Sequence, residues 1–454
     1  MLIHVNKIKK FLRDSLSVTQ KIVLSFILII LAGAILLSLP ISSRTGEATP
    51  FIDALFTAVS ASCVTGLVIY DTYVHWSFFG HAVILVLIQL GGLGLMGAIY
   101  MIGTVRNKKM GVKEIELLQE SYSSPGPLGM RAFAKTILFG TLTFEAAGAV
   151  LLSFRFVPEF GFWRGICFSV FHSVSAFCNA GFDLMGFKGS GSLTSYTGDV
   201  YVNIVIMLLI IIGGLGFFVW TDVKKKKFRI SKYSLHTKIV LSVTALLVFL
   251  PSLLFFFTEY FGGSFSSFSV GESVTASFFQ SVTMRTAGFN SVDLSAMNDG
   301  SVLIMMFLML IGGSPGSTAG GIKTTTFAVF CIAVPAVLKK REFPEAFGRS
   351  LDKDVMKKAA AILSVYIAMI ITGTVIMCIS GGVPLKEAAF EVVSAIATVG
   401  VSMGVTGSLN VLSKIVVILL MFFGRIGCLS MIAILGASYA QVSSKKPIEN
   451  IVIG

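Results

Sequence analysis

Apolar runs of 18 residues or more recur along this chain, and that single pattern restricts it more than any other feature. Each run is long enough to cross a hydrocarbon layer roughly 30 Å thick. Charge is correspondingly scarce. The sequence of 454 residues is 55% hydrophobic and 13% charged, where a soluble domain carries about 25% charge. The expected class is an all-α polytopic membrane protein. Eight long helices are expected, near 22–40, 82–102, 134–154, 203–221, 238–257, 301–335 (interrupted), 359–380 and 411–436, with four shorter, semi-apolar segments between them.

Lysine and arginine then orient these spans. With the N-terminus inside, alternate segments hold 27 of the 36 basic residues, and the outer loops hold six: Arg44, Arg155, Arg164, Lys188, Lys386 and Lys414. Such asymmetry follows the positive-inside rule, so both termini are expected on the cytoplasmic side of the membrane. The rule also accounts for the Lys224–Lys227 run directly after an apolar helix. No aromatic-rich platform accompanies it, which argues against nucleic acid as a partner. Six cysteines without paired spacing indicate neither a disulfide framework nor a zinc site. The first apolar stretch, Ile22 to Leu39, is full length and reads as a span, not as a cleavable leader.

Internal repetition sets the architecture. Four segments stack on a glycine: A-V-S-A-S-C-V-T-G ending at Gly66, S-V-S-A-F-C-N-A-G at Gly181, Q-S-V-T-M-R-T-A-G at Gly288 and V-V-S-A-I-A-T-V-G at Gly400. In the third copy the hydroxyl residue, Thr283, stands one position closer to its glycine than Ser60, Ser175 and Ser394 do. A second landmark follows each: Gly91-Gly92-Leu-Gly94, Gly213-Gly214-Leu-Gly216, Gly312-Gly313-Ser-Pro-Gly316 and Gly424-Arg425-Ile-Gly427. Each unit reads as helix, short segment, glycine, extended stretch, helix. A segment such as Phe51–Ser62 is too short to span and must re-enter on the side it came from. Non-helical backbone at that depth is tolerated only where it lines a cavity or is buried in protein.

Four such loops meeting around an axis would offer backbone carbonyls to a cation in place of its water. Glycine at the turn admits close approach, and each short helix points its negative C-terminal end inward. Close packing of helices is the competing explanation, and it serves the downstream glycine pairs better than the four loop glycines. The division expected is an N-terminal segment 1–21, pore repeats at 22–110, 111–229, 230–345 and 346–437, and a C-terminal tail 438–454.

At this point the residues resemble the Trk/Ktr/HKT superfamily of potassium transporters, most closely its Ktr-type membrane subunit (KtrB type). The resemblance rests on V-T-G-L at 64–67, C-N-A-G-F-D at 178–183, R-T-A-G-F-N at 285–290, T-V-G-V at 398–401 and, most specifically, I-G-G-S-P-G-S-T-A-G-G-I-K at 311–323. It implies four M1-P-M2 (helix, pore loop, helix) repeats around a central pore. The filter would comprise Val64, Thr65 and Gly66; Asn179, Ala180 and Gly181; Thr286, Ala287 and Gly288; and Thr398, Val399 and Gly400. Potassium would be held by backbone carbonyls only, and glycine in all four loops favours it over sodium. The third pore-lining helix would be broken by a gating loop containing Gly312, Gly313, Ser314, Pro315, Gly316, Ser317 and Thr318. Glycines, a proline and hydroxyl residues packed so densely cannot form a regular helix. The resemblance further implies a homodimer with one pore per chain and a cytosolic ring of nucleotide-binding regulatory subunits (KtrA type). This chain contains no phosphate-binding G-x-x-x-x-G-K-[ST] and is expected to carry no cofactor; potassium is its transported ion. A sodium-selective or sodium-coupled carrier on the same scaffold is the alternative, and sodium as an activator stays open.

Charges at membrane depth are functional candidates by default. Arg425 replaces the second glycine of the fourth landmark and is expected under the filter, holding the gating loop through its carbonyls or Ser314. Arg285 is expected to brace the filter from behind, with Glu391 as counter-charge. Glu145 would pair with a basic residue or mark a coupling-ion site, and Asp53 would cap the first short helix. The literal G-x-S-x-G at 312–316 lies at a helix break, without the strand-turn-helix context or nearby base of a hydrolase, so no enzyme is expected.

Overall fold

The computed structural model describes residues 18–94, 130–189, 191–227, 229–341 and 343–427. Almost all of this is helix. Along the chain run α1 (Val18–Ser38), α2 (Phe51–Ser62), a short α3 (Thr72–His75), α4 (Phe78–Gly92), α5 (Met130–Phe160), α6 (Phe162–Phe177), α7 (Val200–Leu215) and α8 (Phe217–Lys226). There follow α9 (Leu235–Tyr260), α10 (Val270–Thr283), α11 (Asp299–Leu310), α12 (Thr324–Leu338), α13 (Lys353–Gly381), α14 (Leu385–Ile396) and α15 (Val411–Ile426). The strands described are a two-residue hairpin, β1 (Glu345–Ala346) with β2 (Arg349–Ser350).

A long apolar helix (α1, α5, α9, α13) is followed four times by a short one (α2, α6, α10, α14) packed against it. By length and hydropathy the four long helices can each cross a bilayer, and α7 with α8 makes a fifth span if that bent pair counts as one. Their lipid-facing sides stay apolar and exposed, as at Leu28, Phe139, Phe249 and Ile371. Inside, three apolar clusters fill the space between successive long–short pairs.

The second helices differ from expectation. Only the third was expected to be interrupted, and it is: α11 ends at Leu310 and α12 begins at Thr324. The expected continuous helix 203–221 is also broken, with α7 and α8 meeting at 91° across Gly216. Helix α4 stops at Gly92 and α15 at Ile426. Gly94, Gly216, Gly316 and Gly427, the fourth residue of each first-to-fourth landmark, or its counterpart, have φ of 70°, 91°, 67° and 90°. A residue in the left-handed region ends a helix: Gly216 and Gly427 cap α7 and α15, whereas α11 has already ended at Leu310, well before Gly316. The rest of the expected spans 82–102 and 411–436 lies outside the described residues, as do most of the terminal segments 1–21 and 438–454.

First and last units are tied by a buried ion pair. Lys414 Nζ on α15 lies 2.6 Å from Asp53 Oδ1 on α2, and the Tyr70 hydroxyl donates to Asp53 Oδ2 at 2.7 Å. Asp53 makes no side-chain cap at the start of α2; it joins positions 361 residues apart. Removing one partner of such a pair leaves an uncompensated buried charge, costing about 3–5 kcal/mol.

Candidate functional site: four glycine loops above an intramembrane loop

Each short helix ends and hands the chain to a turn of the same backbone shape. Val64, Asn179, Thr286 and Thr398 have φ of 57°, 59°, 67° and 52°, and two residues on Gly66, Gly181, Gly288 and Gly400 have 98°, 71°, 82° and 98°. Positive φ at a β-branched residue costs of order 1–3 kcal/mol and persists only where the surroundings impose it.

Hydrogen bonds supply that imposition. Thr65, Ala180 and Val399 N–H donate to the carbonyls of Ser60, Ser175 and Ser394, each at 2.8 Å, and Ala287 N–H donates to Thr283 O at 2.9 Å. The hydroxyls then divide in two pairs. Ser60 and Ser394 accept from Gly66 and Gly400 N–H, both at 3.1 Å. Ser175 and Thr283 donate to the carbonyls after the glycine, Phe182 and Phe289, both at 2.6 Å. Thr283, one position out of register, makes the same kind of contact as Ser175 from the last residue of α10, a helix that ends one residue farther from its glycine than the other short helices do.

These four turns converge in chain order. A Cβ on Gly66 would lie 2.5 Å from Ala180 O, on Gly181 2.8 Å from Ala287 O, on Gly288 2.6 Å from Val399 O, and on Gly400 1.9 Å from Thr65 O. All four contacts are to backbone, which cannot swing aside. Every glycine thus touches the residue just before the next unit's glycine, and the fourth returns to the first. The downstream glycines do close-packing work: a Cβ on Gly91, Gly213 or Gly424 would sit 1.9–2.0 Å from the last carbonyl of its own unit's short helix, Ser62, Phe177 or Ile396.

On one side the four glycines floor a cavity of about 530 Å³ whose wall carries Asp71, Asp183 and Asp293 and, among the described lining residues, no lysine or arginine. Burial, opposed by the Met185 N–H bond and reinforced by the Asp71 charge, pushes the Asp183 carboxyl up to about 7.

On the other side lies the loop 311–323. A Cβ on Gly312 would meet Thr286 Cγ2 at 3.1 Å, one on Gly320 would meet Thr398 Oγ1 at 1.9 Å, and the Thr318 hydroxyl reaches Phe177 O and Asn179 Oδ1, both at 3.1 Å. The loop is thus pressed against the residues that precede the glycines. At this level Thr65 Oγ1, Asn179 Nδ2, Thr286 Oγ1 and Thr398 Oγ1 are buried with no hydrogen-bond partner among the described residues. Unpaired buried polar atoms are costly, and three of these four are oxygens suited to a hard monovalent cation or its water.

The loop is well anchored. Its ends join through Gly312 N–H to Ile322 O at 2.9 Å and Ile322 N–H to Leu310 O at 3.2 Å. Lys323, at the end of the loop, donates to Ala319 O at 2.8 Å. Arg425 donates to Thr318 O in the loop and to Gly91 O and Gly92 O on α4. It holds a loop carbonyl as expected, but not Ser314, whose hydroxyl is taken by Thr324 at 3.1 Å. Ser317 Oγ has no hydrogen-bond partner among the described residues, and Pro315 and Gly316 turn the loop toward Gly216.

Two expected pairings are absent. Glu391 accepts from Thr406 Oγ1 at 2.5 Å, whereas Arg285, also buried, reaches Thr244 Oγ1 at 3.4 Å; the two do not meet. Both sit behind their own loops, on different units, so a charge count alone could not pair them. Among the described residues Glu145 meets no basic group: Gln89 Nε2 donates to it at 3.2 Å and Cys178 Sγ lies 3.7 Å away. The acidic wall and the Asp53–Lys414 pair were also missed. Their only trace was a few carboxylates and a lysine flanking apolar segments.

Four re-entrant glycine turns meeting at one point, an acidic cavity on one side and a pinned loop on the other, define a cation-translocating membrane protein. Comparison with known proteins agrees. The family model "TrkH: Cation transport protein" matches residues 2–441. "Potassium/sodium uptake protein NtpJ" of Enterococcus hirae is 40% identical, covering 98% of this chain and 99% of that protein. "Ktr system potassium uptake protein B" of Bacillus subtilis is 40% identical, over 95% of each chain. The crystal structure of the potassium transporter TrkH from Vibrio parahaemolyticus shares the fold at a TM-score of 0.73 and 19% identity, covering 93% of this chain and 85% of that one. The chain belongs to the Trk/Ktr family of potassium-uptake membrane subunits and is a transporter, not an enzyme.

Proposed function

We propose that this chain is the potassium-translocating subunit of an uptake system, selecting its ion with backbone carbonyls of the four glycine loops and gated by the loop at 312–318. The observation that carries this reading is the cyclic contact of Gly66, Gly181, Gly288 and Gly400, each against the carbonyl of the residue before the next glycine. The chain then divides into M1-P-M2 repeats at 22–110, 111–229, 230–345 and 346–437 around one pore, with eight spans and both termini cytoplasmic. Filter positions are Val64–Gly66, Asn179–Gly181, Thr286–Gly288 and Thr398–Gly400; gate positions are Gly312–Thr318 and Arg425.

Potassium enters the acidic cavity, where Asp71, Asp183 and Asp293 raise its local concentration. It sheds water at the carbonyls and the unpartnered hydroxyls below them, then passes when the 312–318 loop withdraws. A membrane potential of 100 mV contributes about 2.3 kcal/mol per charge, which drives accumulation without nucleotide chemistry in this chain. Arg425, bonded to the loop and to α4, favours the closed arrangement. The name "Ktr system" borne by one relative supports a multi-component assembly; we take it to be a homodimer in a bacterial plasma membrane on a cytosolic nucleotide-binding ring of KtrA type. The name of NtpJ, which includes sodium, supports a second reading: sodium coupling or sodium passage on the same scaffold.

Potassium and sodium uptake in a potassium-uptake-deficient bacterium, for the parent chain and Gly66→Ser, separates these. Potassium-selective uptake that loses discrimination in the variant upholds the filter. Absence of cation flux with a regulatory partner supplied, or a variant equal to an active parent, removes it. Sodium uptake by the parent favours the second reading.

A further inference from the structure

We propose that the helix break at Gly216 is the seat of the intramembrane loop and that α8 is the lever that holds the loop on it, making Gly216 and Phe217 positioning residues for gating. This rests on the reading of 312–318 as a gate.

The break at Gly216 exposes the last carbonyls of α7 and the first N–H groups of α8, which have no partner within their own helices. At membrane depth each such group costs several kcal/mol unless paired. The loop pairs them. Ser314 N–H donates to Gly214 O at 3.0 Å, Thr318 N–H to Gly213 O at 3.3 Å, and Phe217 N–H returns to Gly316 O at 2.7 Å. Loop and break are therefore mutually dependent: lifting the loop strands groups on both. Steric fit adds to this, since Gly216 has φ 91° and a Cβ there would lie 2.8 Å from Pro315 O. The related glycine Gly427 has nearly the same backbone, φ 90° and ψ 131° against 91° and 144°, yet none of the described residues lies within 4 Å of the Cβ it lacks. Among the described breaks, the loop has chosen this one.

Helix α8 runs away from the seat at 91° to α7 and is held along its length. The Trp220 indole N–H donates to Ile212 O at 3.2 Å, and the ring packs against Phe144 and Phe177. Phe177 is the last residue of α6, directly before the second glycine turn. At the far end Asp222 pairs with Lys226 at 2.6 Å and accepts from Ser234 N–H at 2.9 Å and Thr237 Oγ1 at 2.8 Å, which joins α8 to the start of α9. Lys224, Lys225 and Lys227 are exposed beyond it. A displacement applied to this basic end is delivered through a rigid ten-residue helix to the bond between Phe217 and Gly316.

The test isolates one N–H. Phe217 is the first residue of α8, a position where proline fits because its fixed φ suits the helix and its missing N–H would have no partner within the helix. Phe217→Pro and Phe217→Ala lose the same buried ring; only proline loses the donor to Gly316. Rubidium uptake is measured in proteoliposomes without regulatory partner, beside the parent and a chain lacking 314–318, each shown monodisperse by size exclusion. Uptake by Phe217→Pro about tenfold above Phe217→Ala, with potassium-to-sodium discrimination equal in the two, upholds the seat. Equal uptake in both while the deletion conducts freely overturns the seat and leaves the gate standing. A deletion that conducts no faster than the parent removes the gate and the seat together. Should Phe217→Pro fail to fold, Asp222→Asn frees the far end of α8: raised uptake upholds the lever, and parental uptake overturns it.

Discussion

Gly400 offers the sharpest test of the filter, because its environment separates two effects that a glycine substitution usually mixes. Alanine at Gly400 must adopt φ near 98°, and its Cβ would fall 1.9 Å from Thr65 O. Gly404, on the wall of the same cavity, has φ 90° with nothing within 4 Å of the missing Cβ. Both alanines carry a left-handed penalty of about 1–2 kcal/mol; only Gly400→Ala also collides with a carbonyl. Restoring the ordinary contact of 3.4 Å requires Thr65 O to withdraw by 1.5 Å, the difference between those two distances. If that oxygen is an ion ligand, losing it is comparable to losing a hydrogen bond to a charged group, about 1.5–3 kcal/mol. Potassium uptake or its discrimination from sodium then falls by about 10- to 150-fold. The assay is isotope uptake of each cation in vesicles, with Gly404→Ala as the matched control expected near the parent. Equal losses in both variants would mean that backbone strain alone explains the effect, and an unaffected Gly400→Ala would refute the carbonyl assignment. The other loops extend the test as a series, since the approach loosens from 2.5 Å at Gly66 to 2.6 Å at Gly288 and 2.8 Å at Gly181.

Arg425→Ala removes the loop's tether to α15 and α4, so uptake without regulatory partner rises about tenfold or more; a flux at or below the parent's counts against the gate. Asp53→Asn and Lys414→Met each strand a buried charge or its partner, lowering stability by about 3–5 kcal/mol, whereas Asp53→Leu combined with Lys414→Met restores much of it. Thermal unfolding in detergent decides this, and a double variant no better than the singles would show that the pair is not an isolated clamp. Thr398→Val deletes a buried hydroxyl that has no partner among the described residues, so stability is kept or raised while potassium uptake drops. Unchanged uptake would take that hydroxyl out of the ion path.

The lateral organisation of this protein was legible because it is written in periodic terms. Apolar length gave the long helices, shortness gave α2, α6, α10 and α14, and a repeated glycine gave the turns. Even the misregistered Thr283 proved to be a variation on the rule, reaching Phe289 O from the last residue of a helix that stops one residue earlier than its counterparts. Pairings between units were not legible. Asp53 with Lys414 joins residues 361 apart, and neither residue type nor spacing distinguishes that partnership from Asp53 capping its own helix. The Arg285–Glu391 expectation failed for the same reason: opposite charges at membrane depth attract attention, but each can find a partner nearer by, as Glu391 does in Thr406 and Arg285 in Thr244. The additional break at Gly216 carried a signal that was passed over. All four landmarks end on a glycine, so the break inferred in the third copy was open to the second as well.

Repetition with a single departure is what a gated cation pore requires. A spherical ion is best surrounded by equivalent ligands, and the four turns supply them with matching φ values and hydrogen bonds. The space beneath them lies on the shared axis and admits one plug. Four long loops would collide there, so only one copy of the landmark can be expanded, and the third is, from Ile311 to Lys323. Its neighbours then specialise around it. The second copy keeps its glycines and bends by 91°, turning its exposed helix ends into a seat for the loop. The fourth exchanges a glycine for Arg425, which spans the gap from Thr318 O to the first copy's Gly91 O. The expanded loop, the bent second copy and Arg425 thus all fall on the loop or touch it, so on the gated reading proposed above these residues, more than the repeated pattern, mark where flux is controlled.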